Sequence, residues 1–150
     1  MQELFVKNEI TINAPISKVW DVLTNREQTK KYMFGCEAIS DWKPGSPLLW
    51  KGMWEEKEMV FVKGNINHIE KEKHLSYTTF DPNNPSMIDK PENYTTVTFD
   101  LTEFDGETLL KVTQGDFSLV DDGERRFNEV NNNGEGWNPI LVEMKKLAES

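Results

Sequence analysis

The spacing of apolar positions changes twice along the chain. Residues 4–12 are rich in β-branched and aromatic side chains, which is typical of a strand. The next apolar residues are spaced at i, i+3, i+4 and i+7, and they are Ile16, Val19, Trp20 and Leu23. That spacing predicts one apolar stripe of a short helix. Pro15 suits its first turn, because the fixed φ of proline fits there and its missing N–H would have no partner.

A second short helix and a strand-rich region are predicted after Leu23. Thr24 and Glu27 have the spacing of a capping box, which predicts a helix to about Lys31. Apolar, β-rich runs separated by turn residues then predict strands over 48–54, 59–69, 74–80, 94–101 and 109–112. The last two strands read as a hairpin, since Asp105-Gly106 supplies the positive φ that a tight turn needs.

Segment 81–93 holds three prolines and three asparagines. Proline cannot donate to a ladder of backbone hydrogen bonds, and asparagine favours turns. The composition therefore predicts a long surface loop.

The last part of the chain returns to a helical period. Its face is formed by Phe127, Val130, Gly134, Trp137, Leu141, Met144 and Ala148, at spacings of three and four. Residues 131–136, Asn-Asn-Asn-Gly-Glu-Gly, interrupt this face with poor helix formers. Each glycine costs about 1 kcal/mol relative to alanine in a helix. We therefore predict one long C-terminal helix that is bent or locally unwound at its middle.

These elements predict an α+β domain. Their order is a strand, two short helices, about six antiparallel strands and a long C-terminal helix. A sheet of about seven strands needs cover for its apolar face, and the long helix has an apolar stripe to cover it. A chain of 150 residues fits one domain, so we expect a single domain over 1–150.

Charge and cysteine content restrict the partners and the compartment. The chain has 17 basic and 26 acidic residues and a net charge of −9, which repels polyanions. We therefore expect no nucleic-acid partner. The start of the chain lacks a signal-peptide pattern, and no stretch approaches the ~20 apolar residues of a membrane span. Cys36 is the only cysteine, which excludes an intrachain disulfide. A cytoplasmic protein that does not insert into membranes is expected.

Several short motifs occur in an order that matches a known superfamily. They are residues 14–20 (Ala-Pro-Ile-Ser-Lys-Val-Trp), 64–66 (Gly-Asn-Ile), 75–77 (Leu-Ser-Tyr), 108–112 (Thr-Leu-Leu-Lys-Val) and 136–137 (Gly-Trp). Together they resemble the helix-grip superfamily of START-like (SRPBCC) domains. The branch most like this chain is similar to the C-terminal domain of the activator of heat-shock protein 90 ATPase. The resemblance implies a sheet curved around the long C-terminal helix, with a cavity between them.

Large apolar side chains are the candidates to line such a cavity, since ligand pockets are mostly apolar with a few polar groups. The predicted ligand-binding residues are Phe34, Trp50, Met53, Phe61, Tyr77, Phe80, Phe99, Trp137 and Leu141, with Gly134 allowing close approach at the helix. For each of them the alternative is ordinary core packing.

No metal site or cofactor is expected. His68 and His74 lie on either side of a predicted turn rather than at i, i+4 on a helix. Gly134-x-Gly136 lacks the third glycine and the preceding strand of a dinucleotide-binding loop. Nucleotide cofactors are therefore disfavoured.

No catalytic set is evident either. Cys36 is expected to be an inert, largely buried thiol, because no histidine can be placed beside it. General acid–base chemistry would need one inward-facing ionisable group. The candidates are Glu58, His68, Asp100 and Asp116, and each is more simply explained as solvent-facing.

Three functions remain open at this stage. The leading hypothesis is a carrier or sensor that binds a small hydrophobic molecule, such as a lipid, an aromatic compound or a polyketide. The second is a protein-binding module with a chaperone partner, as the resemblance implies. The third is a cyclase or hydrolase acting on a hydrophobic ligand. Because no catalytic set stands out, binding without catalysis is favoured.

Overall fold

A seven-stranded antiparallel sheet forms the larger layer of the computed structural model, which describes residues 3–85 and 87–150. The strands are β1 (Val6–Ile12), β2 (Glu37–Ser40), β3 (Pro47–Trp54), β4 (Lys57–Glu70), β5 (His74–Thr79), β6 (Thr95–Phe104) and β7 (Glu107–Gly115). The helices are α1 (Ile16–Thr24), α2 (Arg26–Tyr32), α3 (Gly123–Asn131) and α4 (Asn138–Glu149). The predicted α+β helix-grip architecture is confirmed.

The strand order is β1-β7-β6-β5-β4-β3-β2, so the two edges are the first two strands of the chain. Helices α1 and α2 make the crossover between these edges. On β5, β6 and β7, Tyr77 pairs with Val97, and Val97 pairs with Gln114. Directly paired residues share a face of the sheet. This row therefore lies on one face, which we call the inner face.

One part of the inner face is covered by α1 and α4. Helix α4 packs mainly on β1 and α1, and α1 also contacts β6 and β7. The residues that meet here are buried and purely apolar. We call them the closed end of the sheet: Ile12, Leu101, Leu110, Val112, Leu141 and Met144. Interdigitated aliphatic side chains of this kind give the dense packing typical of a protein core.

The C-terminal helical region is broken, as its asparagines and glycines predict. Helix α3 ends at Asn131, and Asn132, Asn133 and Gly134 all adopt positive φ angles. Asparagine and glycine tolerate that conformation better than other residues. The predicted bend is confirmed, but the helical face expected to run from residue 127 to residue 148 is divided between two helices. Of these two helices, the 12-residue α4 makes the larger contact with the sheet.

The start of α2 differs from the prediction. Asn25, not Thr24, is its N-cap, and its side chain accepts a hydrogen bond from the backbone N–H of Glu27 at 2.9 Å. Thr24 still belongs to α1, and its hydroxyl donates to the carbonyl of Trp20. Because the two helices follow each other without a loop, the cap falls one residue later than the capping-box spacing indicates.

Segment 81–93 is the predicted surface connection, with a short 3₁₀ turn at Pro91–Asn93; one of its residues, Ser86, lies outside the described part. Among the described residues, no helix combines the length and the apolar character needed to span a bilayer.

Candidate ligand-binding site

A cavity of about 420 Å³ lies at the opposite end of the inner face from the closed end. It falls within the size range of small-molecule sites, roughly 300–1,000 Å³. We call Trp137 and five of the inner-face residues that line it the open end: Trp50, Tyr77, Thr79, Val97, Gln114 and Trp137. The remaining walls come from β4, helix α3 and the loops, through Met33, Phe34, Cys36, Phe61, Val62, Phe80, Asp81 and Arg126.

Trp137 is fixed on the sheet by two hydrogen bonds. Its backbone N–H donates to Oδ1 of Asn8 at 2.9 Å, and its indole N–H donates to Oε1 of Gln114 at 3.1 Å. The ring also packs edge-on against Phe99 at a centroid distance of 5.7 Å. The indole is therefore a rigid wall of the cavity.

Gly136 allows this attachment. Its φ is +49°, and a Cβ added there would lie 2.3 Å from Oδ1 of Asn8 and 2.8 Å from Cγ1 of Val6. Only glycine lets the backbone approach β1 this closely. The close approach predicted at Gly134 thus occurs two residues later, and no atom lies within 4 Å of a Cβ placed at Gly134.

A row of hydrogen-bonded polar side chains crosses the floor of the open end. Nε2 of Gln114 donates to Oγ1 of Thr95 at 3.0 Å, and the Thr95 hydroxyl shares a hydrogen bond of 3.0 Å with that of Thr79. Together with the indole N–H of Trp137, these hydrogen bonds connect β5, β6 and β7 to Trp137, which directly precedes α4. Because these groups satisfy one another, a ligand can cover them without leaving them unpaired.

Tyr77 provides a different kind of polar group. The residue is only 3% exposed, and its hydroxyl has no hydrogen-bond partner among the described residues. Burial raises its pKa well above the usual value, so the hydroxyl stays protonated at neutral pH. Tyr77 lines the cavity and can therefore donate a hydrogen bond to a ligand.

Cys36 and the charged rim complete the lining. Cys36 is half-buried rather than largely buried, and burial raises its thiol pKa. Arg126 is also half-buried, and its guanidinium donates to the carbonyl of Asn93 at 3.1 Å. Asp81 is exposed and accepts a hydrogen bond from the backbone N–H of Asn83.

Six of the ten predicted ligand-binding residues line the cavity: Phe34, Trp50, Phe61, Tyr77, Phe80 and Trp137. Phe34 is the most unusual of them, because it is 92% exposed and has a φ of +56°. An aromatic residue rarely adopts that left-handed conformation. Its ring stands at the rim, where a bound molecule could cover it.

The other four lie elsewhere. Phe99 packs behind Trp137, and Leu141 is fully buried in the closed end. Met53 is 64% exposed at the β3–β4 hairpin, beyond the part of the sheet that the helices cover. Gly134 lies in the helix break. In a continuous helix it would share a face with Trp137, but the break turns it away from that face.

Sequence reasoning missed the polar lining. Gln114, Thr79 and Arg126 were not candidates, because a polar residue in an amphipathic strand or helix reads as solvent-facing. One signal was present for Gln114, which follows Leu110 and Val112 in strict alternation and so belongs to the same face.

The acid–base candidates lie away from the cavity. Glu58, His68 and Asp100 are exposed, and Asp116 caps a 3₁₀ turn by accepting a hydrogen bond from the backbone N–H of Ser118. Its pKa is lowered by hydrogen bonds, chiefly from the Ser118 hydroxyl. Besides the Asp81 carboxylate at the rim, the lining groups able to exchange a proton are Tyr77 and Cys36. Among the described residues, neither of these two is hydrogen-bonded to a base. The arrangement is suited to binding more than to nucleophilic catalysis.

The two histidines are neighbours across strands. Their rings lie 5.0 Å apart between centroids, and Nδ1 of His74 is 2.7 Å from Oδ1 of Asp100. Within residues 3–85 and 87–150, no group of three or more potential ligands is arranged to hold a metal ion.

Comparison with known proteins gives the family. Residues 13–149 match the model of the Activator of Hsp90 ATPase homolog 1-like protein family. The chain belongs to this family. The helix-grip resemblance inferred from the motifs is thereby confirmed.

Solved structures support the same assignment. This Hsp90 ATPase activator homolog 1-like chain is similar to a protein from Cytophaga hutchinsonii, with 35% identity and a TM-score of 0.74 over 97% of this chain and 94% of that one. It also resembles a protein from Mesorhizobium loti, with 21% identity, a TM-score of 0.71 and 95% of each chain covered. CalU16 from Micromonospora echinospora has 18% identity and a TM-score of 0.69, covering 96% of this chain and 75% of that one. The latter two likenesses concern the fold alone. A comparison with curated proteins gives no match.

Proposed function

We propose that the protein binds a small hydrophobic molecule in this cavity, as a carrier or sensor. The observation that carries the proposal is the cavity itself, about 420 Å³ in volume and walled by Trp50, Phe61, Tyr77, Phe80 and Trp137. Transfer of apolar surface from water into such a site is favourable by about 25 cal/mol per Å².

The walls are organised before a ligand arrives. Trp137 is held by Asn8 and Gln114, and the ring of Phe80 stacks on Tyr94 at 4.9 Å between centroids. Fixed walls lower the ordering cost of binding, since few side chains lose freedom on association. Phe34 is the exception and supplies apolar surface that a ligand can cover at the rim.

The test uses N-phenylnaphthylamine, a neutral apolar dye that fluoresces strongly in a dry site. Val62 lines the cavity beside Trp50, its paired residue on the neighbouring strand, so Val62→Trp places a second indole in the binding space. Val142→Trp on α4 is the matched control, because Val142 is 41% exposed and lies outside the cavity lining.

We expect one dye per protein, at least about tenfold weaker binding in Val62→Trp, and unchanged binding in Val142→Trp. Circular dichroism establishes that both variants are folded. Equal dye binding by Val62→Trp and the parent protein, or no binding of the dye at all, would contradict the proposal.

A second candidate function follows from the family and from one surface feature. Two apolar residues that are consecutive in the sequence, Met53 and Trp54, are 64% and 61% exposed at the β3–β4 hairpin. Such a pair could contact a protein partner, as in a module that stimulates the heat-shock protein 90 ATPase. If this function applies, the protein raises the ATP hydrolysis rate of the chaperone, and Trp54→Ser abolishes the increase. No stimulation at a large molar excess would remove this candidate.

A further inference from the structure

We propose that the ligand is an amphipathic acid, with an apolar body in the cavity and one anionic group paired with Arg126 at the rim. The inference rests on the proposed function of the cavity and specifies the chemical class of its ligand.

Arg126 is a half-buried cation without a carboxylate partner. It lines the cavity from α3, and among the described residues no acidic oxygen lies within 4.0 Å of its guanidinium. A guanidinium has five N–H donors. The oxygen that it reaches is the carbonyl of Asn93, at 3.1 Å, and its other contact is a long one of 4.0 Å to the sulfur of Met87. Several donors therefore remain for a ligand.

The neighbouring arginine shows the contrast. Arg125 is exposed and forms ion pairs with Asp122 and Glu129. Asp122 and Glu129 thus form their ion pairs with the arginine that faces water. Burial of a charge without a partner is unfavourable, so a guanidinium half-buried at a cavity rim is expected to have a counter-ion when the site is occupied.

Asn93 holds Arg126 in place. It is fully buried, donates to the carbonyl of Ile88 at 2.8 Å and accepts from the backbone N–H of Asp121 at 2.9 Å. Its own carbonyl is the Arg126 acceptor, so the guanidinium is anchored to a fixed part of the chain. A pre-positioned guanidinium is well suited to a carboxylate, which it can bind with two parallel hydrogen bonds.

Among the charged groups at this rim, Arg126 is the one that favours an anion over a cation. Burial lowers the pKa of Arg126, and Arg125 lowers it further, whereas Glu129, Asp122 and Asp81 raise it. Arginine nevertheless stays charged in proteins. Asp81 shares the rim, but it is exposed and already accepts the N–H of Asn83, so hydration stabilises it without a ligand. An anion gains a partner here, while a cation meets only a hydrated carboxylate.

Two dyes that differ by one sulfonate test the inference. Anilinonaphthalene sulfonate carries the anionic group, and N-phenylnaphthylamine has the same apolar body without it. The net charge of −9 disfavours any anion at long range, so tighter binding of the sulfonate requires a local cation. Arg126→Gln removes the proposed partner, and Arg125→Gln removes an equal charge from the adjacent residue.

We expect the sulfonate to bind about tenfold more tightly than the neutral dye, and Arg126→Gln to abolish this preference, so that the two dyes bind with equal affinity. Arg125→Gln should keep the preference. Equal binding of the two dyes, or an equal loss in the two variants, would overturn this inference and leave the cavity as a neutral binding site. If neither dye binds, both this inference and the proposed function are contradicted.

Discussion

The closed end and the open end share one face of one sheet, yet only the closed end is filled. At the closed end, aliphatic side chains such as Leu110, Leu141 and Met144 interdigitate beneath α1 and α4. At the open end, the large rings of Trp50 and Trp137 stand around the cavity. Aliphatic chains can adjust to fill irregular space, whereas the rigid indole of Trp137, held by a hydrogen bond to Gln114, cannot collapse inward.

The difference shows that burial does not identify a binding residue. Leu141 and Val97 are both at most 1% exposed, but Val97 lines the cavity and Leu141 does not. What separates the two ends is the cover above them. Helix α4 lies over the closed end. The break before α4 leaves space over the open end, and its position is fixed because Asn8 binds the backbone of Trp137 and lies close to Gly136.

The largest effect is expected at the closed end. Leu141→Ala should lower the free energy of unfolding by about 3 kcal/mol or more, because the removed atoms leave a void that the surrounding side chains cannot fill. Binding of N-phenylnaphthylamine by the folded protein should be retained. Urea denaturation measures the first quantity, and a loss below about 1 kcal/mol would show that the closed end is not tightly packed.

A matched pair of valines compares the ends directly. Val112 and Val97 lie on adjacent strands and are both 1% exposed, but only Val97 lines the cavity. Val112→Ala should cost about 2 kcal/mol, and Val97→Ala roughly 1 kcal/mol, since atoms removed beside the cavity enlarge a space that already exists and do not create a new void. Equal losses in urea denaturation would argue that the two ends are packed alike.

Phe34 and Phe104 form a second pair, at the rim of the cavity and at the β6–β7 hairpin. Phe34 is 92% exposed and Phe104 50%. Neither alanine substitution should change stability by more than about 0.5 kcal/mol. Phe34→Ala should weaken dye binding several-fold, because its ring covers a bound molecule, while Phe104→Ala should leave it unchanged. Equal dye titrations for the two variants would remove Phe34 from the site.

The smallest effect concerns the thiol of the cavity. Since burial raises the pKa of Cys36, its thiolate fraction at neutral pH is below that of an exposed cysteine, whose pKa is about 8.5. Alkylation by iodoacetamide should therefore be slower than for a cysteine peptide, rise with increasing pH, and slow further when the cavity holds N-phenylnaphthylamine. Mass spectrometry follows the modification, and reaction unaffected by the dye would place Cys36 outside the binding space.

Sequence patterns predicted the sheet and the broken C-terminal helix because both follow from periodicity and backbone preference. Trp137 was predicted for the same reason, since it lies next to the glycines that weaken the helix. Leu141 was predicted on the face of Trp137, but the break before α4 puts it over the closed end.

The polar lining is harder to predict, because Arg126, Gln114 and Thr79 meet only through tertiary contacts. The Arg126 to Asn93 hydrogen bond joins residues 33 positions apart, and the Gln114 to Thr95 bond joins residues 19 apart. The spacing of residues within one strand or helix cannot predict hydrogen bonds between residues so far apart in the sequence. Met53 shows the converse, because its apolar character suggests burial while its place at a hairpin leaves it exposed.

The most direct test follows four of the five tryptophan indole N–H signals by ¹H–¹⁵N NMR during a titration with N-phenylnaphthylamine. Trp50 and Trp137 line the cavity, Trp20 is buried outside its lining, and Trp54 is exposed at the β3–β4 hairpin. We predict that the signals of Trp50 and Trp137 shift to saturation together while those of Trp20 and Trp54 stay in place. Equal shifts of all four, or none at saturating dye, would contradict a binding site at the open end.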